Sequence, residues 1–290
     1  MQIVQAKKGI FMIKLTNLQK DYNDFHLNVS LEVPAGTVTG LIGKNGAGKS
    51  TTIKSILGLI KADGGELNVL GKDPRKFTGK DKESIGVALS DSGFSNLLTV
   101  NDIKHILKKS YSAFDEKYFS EKCQEQGLPM NKIIKEFSTG MKAKLRVLTA
   151  ISHNAKLLVL DEPTSGLDVL ARNEILDMLR AYLVEDNERS ILISSHISSD
   201  LEGLCDDVYM INKGKIILHE DTDVILGQYG ILKVSEEEFN KLDKQFIIAT
   251  KKEKFNFTCL TNEKQFYLDN YPGIVVENSN IDDLIILLLS

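Results

Sequence analysis

The sequence predicts an α/β fold with a parallel core sheet and a small second α/β domain at the C-terminal end. Three observations carry that prediction. Val38 to Ile42 is a short apolar run ending at Gly43, and Thr51 to Ile60 has helical periodicity, which reads as strand, glycine loop and helix. The alternation resumes with an apolar strand at Lys156 to Leu160, a helix at Ala171 to Leu183 and a third strand at Ser190 to Ile193. Strands alternating with helices build a parallel sheet. From about residue 221 the pattern changes to short β-rich pieces, Phe246 to Ala249, Phe255 to Leu260 and Gly273 to Val276, separated by helical segments.

Each element follows from its pattern. Residues 1–11 precede the first strand pattern, Met12 to Leu15, and are set aside as an N-terminal extension. Residues 12–42 alternate apolar and polar positions, with Leu27, Val29, Leu31 and Val33 on one face, as antiparallel strands do. Residues 91–150 read as a helical insertion, since Val100 to Leu107 and Phe114 to Cys123 are amphipathic at helical spacing. The expected domains are therefore 12–220, with its helical subdomain at about 91–150, and 221–290. Ser235 with Glu238 forms a capping box that opens a helix in the second of these.

Composition narrows the classes of function. The chain has 290 residues, 42% of them hydrophobic, enough for a sizeable core. Its formal net charge of −4 gives no basic footprint, so nucleic acid is not an expected partner. Cys123, Cys205 and Cys259 are odd in number and far apart, which reads as buried free thiols in a reducing compartment. The late apolar run Leu284 to Leu289 falls well short of the roughly 20 residues a spanning helix needs. The first residues also lack the three-part pattern of a secretory signal.

The chemistry sits in a few short strings. Gly43-Lys44-Asn45-Gly46-Ala47-Gly48-Lys49-Ser50 fits G-x-x-x-x-G-K-[ST] between a predicted strand and helix. Glycines let backbone N–H groups turn inward as an anion nest, and the helix N-terminus adds positive potential. Gly43, Asn45, Gly46, Ala47, Gly48, Lys49, Ser50 and Thr51 are the candidate phosphate-binding residues. Lys49 reaches the β- and γ-phosphates, and Ser50 offers a hydroxyl to Mg²⁺. Leu157-Leu158-Val159-Leu160-Asp161-Glu162 is an apolar strand that stops at two carboxylates, placing them at the edge of the sheet where ligands bind. Asp161 is the candidate metal ligand. Glu162 points to the other side and is the candidate that polarises a water for attack on the γ-phosphate.

Asp161-Glu162-Pro163-Thr164-Ser165-Gly166-Leu167-Asp168 resembles the joined Walker B and D-loop of ABC ATPases, and Phe137-Ser138-Thr139-Gly140-Met141 resembles their signature. Gly140 and Asp161 are 21 positions apart, the family spacing. The resemblance covers residues 12 to about 220. It implies a P-loop NTPase cassette of the ABC ATPase type, with a RecA-like core holding a parallel sheet, an antiparallel β patch and a helical subdomain. Ser138, Gly140 and Asp168 would then close on ATP bound by a second ATPase subunit. His196, in Ser194-Ser195-His196, resembles the switch histidine that contacts the γ-phosphate. Tyr22 matches the aromatic residue that stacks on adenine, with Phe25 as the competing choice.

Two departures from the family pattern stand out. Ser90 or Asp91 occupies the place of the Q-loop glutamine, which joins Mg²⁺ to the transmembrane contact. Thr139 and Met141 replace a glycine and a glutamine of the signature, changes associated with ABC-2-type exporters. The resemblance implies ATP and Mg²⁺ as cofactors, a homo- or heterodimer of ATPase subunits, a separate integral membrane permease, and residence at the cytoplasmic face of the membrane. The implied cargo is a peptide, antibiotic or toxin. The alternative is a soluble ABC ATPase acting on ribosomes or DNA.

Overall fold

Strand β1 (Phe11–Tyr22) turns directly into β2 (Phe25–Pro34), and the two pair antiparallel with Tyr22 opposite Phe25. Their inward faces bury Ile13, Leu15 and Leu18 against Leu27, Val29, Leu31 and Val33, the alternation read from the sequence. A one-residue slip would turn all seven outward, and each is worth about 1.5–3 kcal/mol when fully buried, so the register is strongly specified. This computed structural model describes residues 10–90 and 93–289. The expectation that Asp91 stands in the Q-loop position therefore lies outside the described residues.

The chain continues through β3 (Val38–Ile42), α1 (Lys49–Ile56), β4 (Gly64–Val69), α2 (Gly79–Lys82) and β5 (Ile85–Ala88). Next come three helices, α3 (Val100–Ser110), α4 (Glu116–Glu125) and α5 (Thr139–Ile151), in the segment expected to be helical. Then follow β6 (Leu157–Asp161), α6 (Val169–Glu185), β7 (Ser190–Ser195), α7 (Ser198–Glu202), β8 (Asp207–Asn212) and β9 (Lys215–Asp221). Among the described residues, nine strands form one sheet in the order β4-β1-β2-β9-β8-β3-β7-β6-β5. Strands β3, β6 and β7 are buried along their whole length and pair in parallel, as apolar strands covered on both faces do. This register sets Asp161 beside Ser194 and Ile42 beside Ser195, so the ends of β3, β6 and β7 share one edge.

The remaining elements are α8 (Thr222–Gln228), β10 (Gly230–Ser235), α9 (Glu236–Lys241), β11 (Ile247–Lys252), β12 (Asn256–Thr261), α10 (Lys264–Asn270), β13 (Val275–Asn278) and α11 (Ile281–Leu288). A second, antiparallel sheet runs β11-β12-β10-β13 around Leu232, Val234, Cys259 and Tyr267. The capping box at Ser235 is present: Glu238 N–H donates to Ser235 Oγ at 3.2 Å, and Ser235 N–H donates to Glu238 Oε2 at 2.7 Å. The chain divides into two compact units. One holds the residues through His196 with Tyr209–Ile217, and the other holds Ile197–Val208 with Leu218 onward.

Several expected boundaries shift. Helix α1 ends at Ile56 instead of Ile60, because Gly58 adopts a left-handed φ of 66° and stops the turn. The C-terminal strands begin one or two residues later than read, and β10, the interior strand that pairs with both β12 and β13, was not read at all. Cys123, Cys205 and Cys259 are buried and free, and burial pushes the Cys123 thiol up to about 12.

Candidate functional site

The glycine loop leaves β3 at Gly43 and enters α1 at Gly48. Gly48 has φ 117°, and a Cβ there would lie 2.8 Å from Leu27 Cδ1, so the position requires glycine. It caps α1 without a side chain, leaving the first-turn N–H groups to an anion. Lys49 is buried, 5% exposed, and its Nζ donates to the Gly43 carbonyl at 2.7 Å. That bond folds the lysine back over the loop it follows.

Strand β6 delivers the carboxylates. Asp161 is 1% exposed and accepts from Ser194 Oγ at 2.6 Å and from Ser90 Oγ at 3.3 Å. Glu162 takes a left-handed φ of 51°, a conformation that costs a non-glycine residue about 1–3 kcal/mol and clusters at functional sites. Its N–H donates to both the carbonyl and the hydroxyl of Ser194, at 3.1 and 3.0 Å. One of its carboxylate oxygens lies 3.1 Å from Lys49 Nζ, and the other meets Nδ1 of His196. Lysine, carboxylate and imidazole therefore form one connected group at the mouth of the loop.

Tyr22, Phe25, Asn45, Gly46, Gly48, Lys49, Ser50, Thr51, Glu162 and His196 line a single pocket of about 580 Å³, with Lys44, Ser90 and Ser165 completing it. Tyr22 is half exposed, and its ring centroid is 6.5 Å from that of Phe25, so both candidates for the aromatic position face the same space. Gly43 and Ala47 do not line it. Gly43 gives its carbonyl to Lys49, and Ala47 is buried, its N–H bonded to Lys44 O at 3.0 Å. Both support the loop from behind. Asp161 likewise lies behind the lining and reaches it through Ser90. Ser50 and Asp161 offer a hydroxyl and a carboxylate, the hard oxygen donors Mg²⁺ takes while keeping waters of its own. The donor set fits that ion.

The signature residues are elsewhere. Ser138 caps α5, its Oγ accepting from Met141 N–H at 3.2 Å, and Asp168 caps α6, accepting from Ala171 N–H at 2.9 Å. Ser138, Gly140 and Asp168 line a separate pocket of about 450 Å³. A Lys144–Glu174 ion pair at 2.5 Å ties the two helices together beside it. The structure thus gathers Lys49, Ser50, Glu162 and His196 in one place and Ser138, Gly140 and Asp168 in another. Sequence reasoning passed over Ser194, whose hydroxyl donates to the Asp161 carboxylate and accepts from the Glu162 N–H; its signal was its place two residues before His196.

The family model described as ABC transporter matches residues 27–165, and a second model, an AAA domain, matches residues 133–199. The bacitracin transport ATP-binding protein BcrA of Bacillus licheniformis is 35% identical over 212 residues, covering 71% of this chain and 68% of that protein. The lantibiotic transport ATP-binding protein SrtF of Streptococcus pyogenes is 34% identical over 217 residues, covering 73% of this chain and 92% of that one. Among solved structures, an ATP-binding subunit of an ABC transporter superposes with a TM-score of 0.66 at 26% identity, over 74% of this chain and 91% of its own. A cassette solved as a dimer in a post-hydrolysis state with ADP and Pi gives a TM-score of 0.64 at 19% identity, over 73% of this chain and 99% of its own, a likeness of fold.

Proposed function

The chain belongs to the ABC transporter family as an ATP-binding subunit and ATPase, and from that premise we propose the residues that carry its chemistry and the machine it serves. The observation that carries the reading is the joining of Lys49, Glu162 and His196 at the mouth of the glycine loop. Phosphoryl transfer asks a protein mainly for positioning and charge. The N–H groups of Gly46 and of Gly48 to Thr51 cradle the phosphates and Lys49 compensates their charge. Tyr22 or Phe25 stacks on the base. Ser50 and Asp161 hold Mg²⁺, which supplies charge neutralisation at the transferring phosphoryl group. Glu162 accepts the proton of the attacking water, and His196 fixes the orientation of that carboxylate.

Ser138, Gly140 and Asp168 complete the site of a second ATPase subunit in a head-to-tail dimer, a reading supported by their separation from the loop pocket. By analogy with the named transport ATP-binding relatives, a separate permease is the proposed transport path, with this subunit at its cytoplasmic face; among the described residues no helix is long and apolar enough to cross a membrane. The cargo is an amphipathic peptide or antibiotic, by analogy with the named transport relatives. The bacitracin and lantibiotic transport relatives favour this reading over the soluble alternative acting on ribosomes or DNA.

Light scattering on a Glu162→Gln chain, with and without Mg-ATP, tests the dimer. An ATP-dependent doubling of mass is expected. A chain that binds ATP and stays monomeric overturns the homodimer.

A further inference from the structure

Arg146 stands two turns into α5, past the Ser138 cap, and belongs to none of the phosphate-handling strings. Its Nη1 reaches across to the segment after β5 and donates to the carbonyl of Leu89 at 3.0 Å and to that of Ser90 at 3.2 Å. The hydroxyl of the same Ser90 donates to Asp161 Oδ2 at 3.3 Å, while the other Asp161 oxygen is taken by Ser194. Bonds therefore run unbroken from the helix that Ser138 caps to the carboxylate at the end of β6.

The chemistry of the two residues explains why the link matters. A serine side chain is one carbon long, so whether its hydroxyl meets Asp161 depends on where the backbone of residue 90 is held. Arg146 holds that backbone by a charge-assisted donor shared between two consecutive carbonyls, the stronger kind of hydrogen bond. Cavities of about 300 and 230 Å³ flank the guanidinium, one lined by Ser90 and Thr139, the other by Tyr111 and His153, and both by Phe94. The guanidinium is half-buried, and burial draws its pKa down from the ordinary arginine value, while an arginine stays a cation in a protein.

We propose that Arg146 is a positioning residue for ATP hydrolysis: by holding the carbonyls of Leu89 and Ser90 it sets the Ser90 hydroxyl against Asp161, and so links the signature helix to the metal-side carboxylate. The inference rests on the reading of Asp161 as a metal ligand.

The test titrates the full chain, saturated with a non-hydrolysable ATP analogue, with Mn²⁺ and follows the free ion by electron paramagnetic resonance, so that affinity is read without turnover. Arg146→Gln is expected to weaken Mn²⁺ binding about tenfold, the scale on which outer-sphere partners act, with nucleotide affinity in EDTA unchanged. Ser90→Ala weakens it by a similar factor. The double variant is no weaker than either single one, because both act through one chain of bonds. Additive losses overturn the relay, as does unaltered Mn²⁺ affinity in Arg146→Gln beside a weakened Asp161→Asn. If Asp161→Asn itself leaves Mn²⁺ affinity unchanged, the metal-ligand reading fails and the inference falls with it, by a distinguishable result. Should Arg146→Gln not fold, Arg146→Lys is read in its place, and wild-type affinity in both Arg146→Lys and Ser90→Ala overturns the proposal.

Discussion

Two helix N-termini in the same cassette face their pockets in opposite conditions. Helix α1 begins behind Gly48, which offers no side chain, and the space beyond is bordered by Lys49, Glu162 and His196. Helix α5 begins behind Ser138, whose hydroxyl already accepts from Met141 N–H. The carboxylates beside it are engaged, Asp168 as a helix cap and Glu174 in an ion pair with Lys144. Both ends carry the positive pole of a helix. Only the first combines it with an open turn and a buried lysine ion-paired to a carboxylate that an imidazole also meets. On the proposed function, the difference places the bond-breaking groups on one side, while the other side presents a binding surface.

The comparison breaks most visibly at Glu162. Glu162→Gln should lower kcat for ATP by about a hundredfold or more, the scale of a lost general base, with ATP affinity kept. The Lys49 bond to the Gly43 carbonyl, 2.7 Å in this chain, does not involve Glu162, so the loop should keep its internal support. Steady-state hydrolysis and calorimetric titration check both halves. A variant that loses affinity and rate together would mean that Glu162 builds the pocket more than it serves the reaction. At the loop itself, Gly48→Ala places a β-substituted residue at φ 117° with its Cβ 2.8 Å from Leu27 Cδ1. It should destabilise the fold by about 1–2 kcal/mol, the cost of left-handed backbone, and weaken ATP binding by opening the nest. Thermal unfolding and nucleotide titration read the two effects separately.

What the sequence made legible was whatever chemistry writes locally. The strand, loop and helix from Val38 to Ile56 could be read because a phosphate nest needs glycines at fixed spacing and a buried parallel strand needs an unbroken apolar run. Strand β6 was legible for the second reason, and its abrupt end marked the carboxylates. Strand β10 was missed because its place is decided by β12 and β13, more than twenty residues onward, and not by its own six residues. The left-handed turn of Glu162 is invisible in a sequence, since an unstrained strand end has the same letters. Arg146 was passed over because its partners lie 56 and 57 positions away, and helical periodicity says nothing about the reach of a long side chain.

The smallest expected effect sharpens the comparison at Ser138. If the hydroxyl matters only as a helix cap, Ser138→Ala should cost about 1 kcal/mol of stability and Ser138→Gly only a few tenths, because glycine is itself a tolerated cap. If the hydroxyl and the helix end also meet nucleotide across a dimer, the two variants should differ in stability and yet lose hydrolysis to a similar extent, with single-chain ATP affinity untouched in both. Chemical denaturation gives the first pair of numbers, and ATPase rates measured against protein concentration give the second. A rate that follows stability, falling in the alanine variant and recovering in the glycine one, would reduce Ser138 to a cap and leave the second pocket without a role in the reaction.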